Sequence, residues 1–164
     1  SKTAAAGMFK GGLAGNSEIE TKYHTATHIL HTVLRNMFGT EVEQKGSNIN
    51  TERMRFDFSF TRALTPEEVK EVEDKVNEII AHDLPVTRYD TTYDEAKSMN
   101  AIGLFTDKYT DKVSVYQIGS PTDAFSTEIC MGPHVTHTGT LGHFKILKEE
   151  SSSAGVRRIK GVLG

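Results

Sequence analysis

Apolar residues recur at helical spacing after position 22. Tyr23, Ile29, Leu30, Val33, Leu34, Met37 and Phe38 share one stripe. Ser17, with Glu20 three residues on, reads as a capping box, so the pattern predicts a helix from Ser17 to a stop at Gly39. The period then changes to two. Met54, Phe56, Phe58 and Phe60 alternate with Arg53, Arg55, Asp57 and Ser59, which predicts a strand over 53–60 paired in a hairpin with 41–49. The first arm is the more polar one. Gln44, Gly46 and Asn48 fall by alternation on the face of Val42, and a polar inner face is costly unless it lines a wet cleft. We expect 41–49 to wall a cleft.

Further along, Thr65-Pro66-Glu67-Glu68 joins a capping box to a proline at the first helical position. The stripe Val69, Val72, Val76, Ile79 and Ile80 extends that helix to about Asp83, and Pro85 stops it. A strand over 86–93 follows, then a short helix capped by Thr92 and Glu95 and running to about Met99. After an apolar run at 102–105 and a polar turn, strands are predicted at 113–118, 124–129, 144–148 and 156–162. Ser151-Ser152-Ser153 is expected to turn the chain between the last two. The order of elements gives an α+β class, a mainly antiparallel sheet with helices packed on one face.

Composition narrows the class. At 164 residues and 37% hydrophobic, the chain is long enough for one domain with a real core, and 25% charged residues argue against wholesale disorder. A net charge of −3 excludes gripping nucleic acid by bulk charge and leaves room only for a local basic patch. One cysteine excludes an intrachain disulfide and fits a reducing compartment. No apolar run reaches membrane-spanning length, so no membrane partner is expected. We read a cytosolic domain, and its opening on Ser rather than Met as that of a fragment of something larger.

The candidate chemistry sits at two places. His24-Thr25-Ala26-Thr27-His28 puts two imidazoles four apart on the first helix, on one face of it. Cys130-Met131-Gly132-Pro133-His134 adds a sulfur and a nitrogen at a strand end. Three imidazoles and a thiolate are zinc donors. Each half alone has a plainer reading, a packed histidine pair or a small buried cysteine; the conjunction favours metal. Four protein donors suggest a closed site and three a catalytic one with an open position, and both arrangements stand at this point.

These segments, with Gln44-Lys45-Gly46-Ser47, Arg55-Phe56-Asp57-Phe58 and Ala154-Gly155-Val156-Arg157-Arg158-Ile159, occur in an order that resembles the editing domain of alanyl-tRNA synthetase. Free-standing alanyl-tRNA deacylases and the threonyl-tRNA synthetase editing domain share that fold. The resemblance runs from about Thr3 to Gly164 and divides the chain into a Gly-rich entry segment, 1–16, and the editing domain, 17–164. It implies zinc on His24, His28, Cys130 and His134. It places Gln44 at the pocket wall; Gln44 is our candidate sensor of a substrate hydroxyl, with Thr25 as a supporting hydroxyl, a helix-surface threonine being the plainer reading of Thr25. The implied reaction is hydrolysis of the ester joining serine or glycine to tRNA(Ala); with no Ser-His-Asp order in the chain and Cys130 read as a metal ligand, we expect no acyl-enzyme. The implied setting is a cytoplasmic, ATP-binding alanine–tRNA ligase, with the tRNA(Ala) 3′ end and the remaining synthetase domains as partners. A free-standing trans-editing deacylase and a non-catalytic zinc-stabilised tRNA-binding module are the alternatives.

Two positions depart from the family pattern. Met131 stands where the alanyl form has glycine, and Glu128 where the threonyl form has aspartate; Glu128 is thereby a candidate site residue, with a solvated charge beside a strand end as the plainer reading. Lys45, Arg53, Arg55, Arg157, Arg158 and Lys160 are candidate phosphate contacts, with ion pairing the other role for Arg55 and Arg157.

Overall fold

A computed structural model describes residues 14–101 and 112–164, with side chains in the first span from residue 18 onward. Most of the entry segment, the run at 102–105 and the turn after it lie outside the described residues. The elements are α1 (Ala14–Phe38), β1 (Gln44–Ile49), β2 (Met54–Ser59), α2 (Pro66–Ala81), β3 (Val86–Thr92), α3 (Tyr93–Ser98), β4 (Lys112–Ser120), β5 (Asp123–Ile129), β6 (Phe144–Ser153) and β7 (Val156–Leu163). A 3₁₀ turn, Thr138–Leu141, precedes β6.

The α+β class and the antiparallel pairing are as expected. The strands divide, however, into two sheets rather than one: β1-β2-β7-β6 and β3-β4-β5. Strand patterns name which residues are extended but not which strands pair, so the division is invisible to periodicity. Two apolar clusters match the two sheets. Ile29, Leu30, Val33 and Leu34 of α1 and Val72 and Val76 of α2 pack with Met54, Phe56, Phe58, Phe144 and Ile159 of the four-stranded sheet. Phe56 and Phe58 are fully buried, and truncating either to alanine costs about 3–5 kcal/mol. Ala96 of α3 and Ala101 pack with Val113 and Val115 of the three-stranded sheet. Ile118 of β4 joins the larger cluster and ties the sheets together.

Local signals explain most boundaries. The Thr65 hydroxyl accepts from the Glu68 N–H while the Glu68 carboxylate accepts from the Thr65 N–H, the complete capping box. Thr92 caps α3 by accepting from the Glu95 N–H. α1 ends where the Gly39 N–H bonds the Arg35 carbonyl at 2.9 Å and Gly39 takes a φ of 107°, which only glycine adopts freely. Its other end differs from expectation. The helix already includes Ala14, so Ser17 lies inside it rather than capping it; a Ser and a Glu three apart fit a first turn as well as a cap. Ser151-Ser152-Ser153 is not a turn either. β6 runs through it because Ser151 and Ser153 pair with Arg157 and Val156, and pairing overrides the weak strand preference of serine.

The loop after His134 is fixed to the far end of α2. Thr138 donates its N–H to the Leu84 carbonyl and its hydroxyl to the Ile79 carbonyl, and the Val86 N–H bonds the Thr136 carbonyl. No helix among the described residues is long and apolar enough to cross a membrane.

Candidate metal centre

His24 and His28 rise one turn apart on α1, and β5 delivers Cys130 beside them. The Nε2 atoms of His24 and His28 are 3.2 Å apart. The Cys130 Sγ stands 3.4 Å from His24 Nε2 and 3.6 Å from His28 Nε2. The His134 ring stacks on His24 with centroids 4.2 Å apart and meets His28 edge-on at 4.5 Å. One ligand atom from each of the four residues lies within 4.8 Å of every other.

Each imidazole is held from behind through Nδ1. His28 Nδ1 lies 2.6 Å from Glu128 Oε2, His24 Nδ1 lies 2.9 Å from the Pro133 carbonyl, and His134 Nδ1 lies 2.9 Å from the Thr25 hydroxyl. Metal-binding histidines are oriented in this way, with the second nitrogen tied to a carboxylate, carbonyl or hydroxyl. The tethers turn the Nε2 atoms of His24 and His28 towards Cys130. His134 Nε2 is buried without a hydrogen-bond partner among the described residues, a cost that a bound cation removes. Nitrogen and sulfur donors about 2.0–2.3 Å from a tetrahedral ion stand roughly 3.3–3.6 Å from one another, as the His24, His28 and Cys130 atoms do. The residues present fit a metal ion.

The electrostatics are those of a buried, mutually supporting set. Burial pushes the Cys130 thiol up, but the imidazoles of His134, His24 and His28 outweigh it and hold the thiol at about 3. Burial pulls His28 down, yet the Glu128 charge together with the Cys130 and Glu128 contacts raises it to about 10. His134 is lowered to about 4, chiefly by burial. Burial also raises Glu128, and the facing His28 more than reverses this, so its carboxyl titrates below the usual range. Cys130 is thus a thiolate and Glu128 a carboxylate at neutral pH.

Glu128 is not the solvated charge of the plainer reading: it is buried and bound to His28. Its place two residues before Cys130 on a strand, hence on the same face, was the available signal. Thr25 is not a helix-surface threonine but fully buried, and its hydroxyl bridges His134 Nδ1, the Val135 N–H and the Thr21 carbonyl. Gln44 is exposed at the start of edge strand β1, where its amide donates to the Ser47 hydroxyl at 3.3 Å. A register shift sets Gln44 opposite Phe58 and Gly46 opposite Asp57, so the two do not share a face as alternation implies. The bulge leaves Gln44 on the helix side of the sheet, the side of α1, though no hydrogen bond among the described residues joins it to the four donors.

Of the cationic candidates, Arg157 forms a two-pronged bond to Glu149 and Arg158 to Asp57. Arg53 donates to the Asn48 carbonyl, and Lys45 lies 3.5 Å from Glu43. Tyr116 of β4 was not foreseen. Its ring meets His134 edge-on at 4.5 Å, and its hydroxyl presses on Gly132, where a Cβ would stand 2.2 Å away.

Residues 113–160 match the family described as the threonyl and alanyl tRNA synthetase second additional domain. Curated proteins named alanine–tRNA ligase are similar over nearly the whole chain. That of Treponema denticola is 56% identical over 163 residues, which is 99% of this chain and 26% of the relative. The Treponema pallidum protein is 52% identical over the same shares. The Borrelia hermsii protein is 51% identical over 99% of this chain and 27% of its own length. The chain therefore spans about a quarter of the length of the relatives it matches.

Proposed function

We propose, from the match of residues 113–160 to the threonyl and alanyl tRNA synthetase second additional domain and the similarity to alanine–tRNA ligases over 99% of the chain, that it is the zinc-dependent editing domain of such a ligase, hydrolysing Ser-tRNA(Ala) and Gly-tRNA(Ala). The observation that carries the reading is the convergence of His24, His28, Cys130 and His134, with each imidazole tethered through Nδ1. Bound there, zinc supplies Lewis-acid chemistry, polarising an ester carbonyl or drawing the pKa of a water towards about 7.

The need for a second site is physical. A synthetic pocket for alanine cannot exclude glycine, and an apolar pocket rejects an added hydroxyl by only about a hundredfold. A site whose buried polar groups bind the seryl hydroxyl reverses that preference, because alanine leaves them unpaired. Gln44 is the proposed sensor, on the helix side of an edge strand. Thr25 acts indirectly, by holding His134 and the backbone at Val135. Cys130 serves as a thiolate ligand among three imidazoles rather than as a nucleophile, so no acyl-enzyme forms. Glu128 keeps the His28 ring oriented and supplies a charge against it. In this reading the remaining domains of the longer cytoplasmic ligase bind ATP and provide most of the tRNA affinity.

The test is deacylation of Ser-, Gly- and Ala-charged tRNA(Ala) by this chain, with and without a chelator. Hydrolysis of the seryl and glycyl esters, sparing of the alanyl ester and loss of activity on chelation are expected. Equal rates on all three esters, or undiminished activity after metal removal, would overturn it.

A further inference from the structure

Directly opposed residues of an antiparallel sheet share a face, so the register of β2, β7 and β6 sorts their side chains. Phe56, Ile159 and Glu149 align on the helix side. Arg55, Lys160 and Lys148 align on the opposite, outer face, and Asp57, Arg158 and Glu150 form the row beside them. Lys145, opposite Val162, adds a charge beyond the first row.

The two outer rows differ in kind. Asp57, Arg158 and Glu150 alternate in sign, and Arg158 reaches Asp57 with bonds of 2.9 and 3.1 Å. Arg55, Lys160 and Lys148 instead set three like charges directly opposite one another on neighbouring strands about 4.8 Å apart, an arrangement that destabilises a sheet. Their compensation is thin. Arg55 Nε is 3.8 Å from Asp57, beyond hydrogen-bond reach, while Lys148 and Lys160 share the Glu150 carboxylate at 3.2 and 3.5 Å. The face holds five cations against two carboxylates, on a chain whose net charge is −3. The three aligned side chains keep 29%, 38% and 62% of their surface exposed. Strand backbones fix their spacing, so the row is preorganised.

We propose that this outer face, centred on Arg55, Lys160 and Lys148, is a docking surface for the phosphate backbone of RNA. It rests on the proposed function in taking tRNA as the source of those phosphates. A polyanion relieves the like-charge row, which spans roughly 10 Å across three strands. These rows contain no aromatic side chain on which a base could stack, so the contacts are with backbone and independent of sequence. The scarcity of apolar side chains in them argues against a protein–protein interface, whose core is apolar. Arg157, on the helix side and bound to Glu149, takes no part.

The experiment is fluorescence anisotropy of labelled, uncharged tRNA(Ala) with the whole chain over a series of salt concentrations. The variants are K148Q/K160Q on the outer face, K148R/K160R on the same positions, and K70Q/K75Q on α2, which removes the same charge elsewhere. K148Q/K160Q is expected to weaken binding at low salt about tenfold and to flatten the plot of log affinity against log salt by about 1.5, at roughly 0.7–0.9 per lost contact. K148R/K160R and K70Q/K75Q are expected to bind like the wild type. Equal behaviour of the two glutamine variants, loss of binding with an unchanged salt slope, or no binding by the wild-type chain would overturn the proposal. Failure of the editing reading shows separately, as tRNA binding with no hydrolysis of the seryl ester.

Discussion

His28 Nδ1 and Glu128 Oε2 are 2.6 Å apart, with only 14% and 8% of the two side chains exposed. A carboxylate so placed raises the basicity of the imidazole and fixes its rotation, and losing such a partner typically lowers metal affinity about 10–100-fold. Glu128→Gln, which keeps shape and hydrogen bonding but not charge, is expected to fall within that range. Competition against a chromophoric chelator measures it, and far-ultraviolet circular dichroism should be unchanged.

Thr25 is expected to act through His134. Thr25→Val keeps the volume but leaves His134 Nδ1 and the Val135 N–H without their partner. Stranding buried polar groups costs about 1–3 kcal/mol each, which urea unfolding of the metal-free variant reads directly. Metal affinity should fall in parallel, and Thr25→Ser should restore both.

The pH dependence of metal uptake follows from the ligand set. Above about pH 5 Cys130 and His134, at about 3 and about 4, have already lost their protons, whereas His28 keeps its own up to about 10. A metal entering at neutral pH therefore displaces a proton from His28, and affinity should rise with pH between 6 and 8. Calorimetry in buffers of different ionisation enthalpy counts that proton. For the metal-free fold the sign is opposite. The His28 pKa is raised above 6.5, so its pairing stabilises fully below 6.5 and is lost as the pH climbs through about 10.

Gly132→Ala meets two obstacles. The residue has a φ of 69°, and a Cβ would stand 2.2 Å from the Tyr116 hydroxyl oxygen. A lower melting temperature and weaker metal binding are expected. Removing the ring as well, in Gly132→Ala/Tyr116→Ser, should recover part of the metal affinity but not the backbone strain. A double-mutant cycle separates the two.

How far the fold was legible depends on which interactions decide each feature. His24 and His28 could be placed together because helical period alone sets their spacing, and the Thr65 cap because it is local. The convergence of Cys130 and His134 on that pair was legible through donor chemistry and family resemblance, since no local rule joins positions a hundred residues apart. Glu128 could not be told from a solvated charge because burial of a charge depends on a partner, His28, from a distant helix. Gln44 and Gly46 were assigned one face because alternation carries no sign of a bulge. The split into two sheets and the extension of β6 through three serines are matters of strand pairing, which composition does not encode.

Cys130 is separated from His28 by 102 residues and from His24 by 106. A cation held by all of them works as a staple across a loop of most of the chain, fastening the end of the three-stranded sheet to the helix that covers the four-stranded one. A covalent link closing about 100 residues is worth roughly 4–5 kcal/mol in chain-entropy terms, and a coordinate link draws on the same source. The binding site can therefore exist only once α1, β5 and the loop fixed to α2 have met, which makes metal capture a late event in folding. It also makes bound metal a gauge of long-range order, released by any lesion that lets the two sheets part.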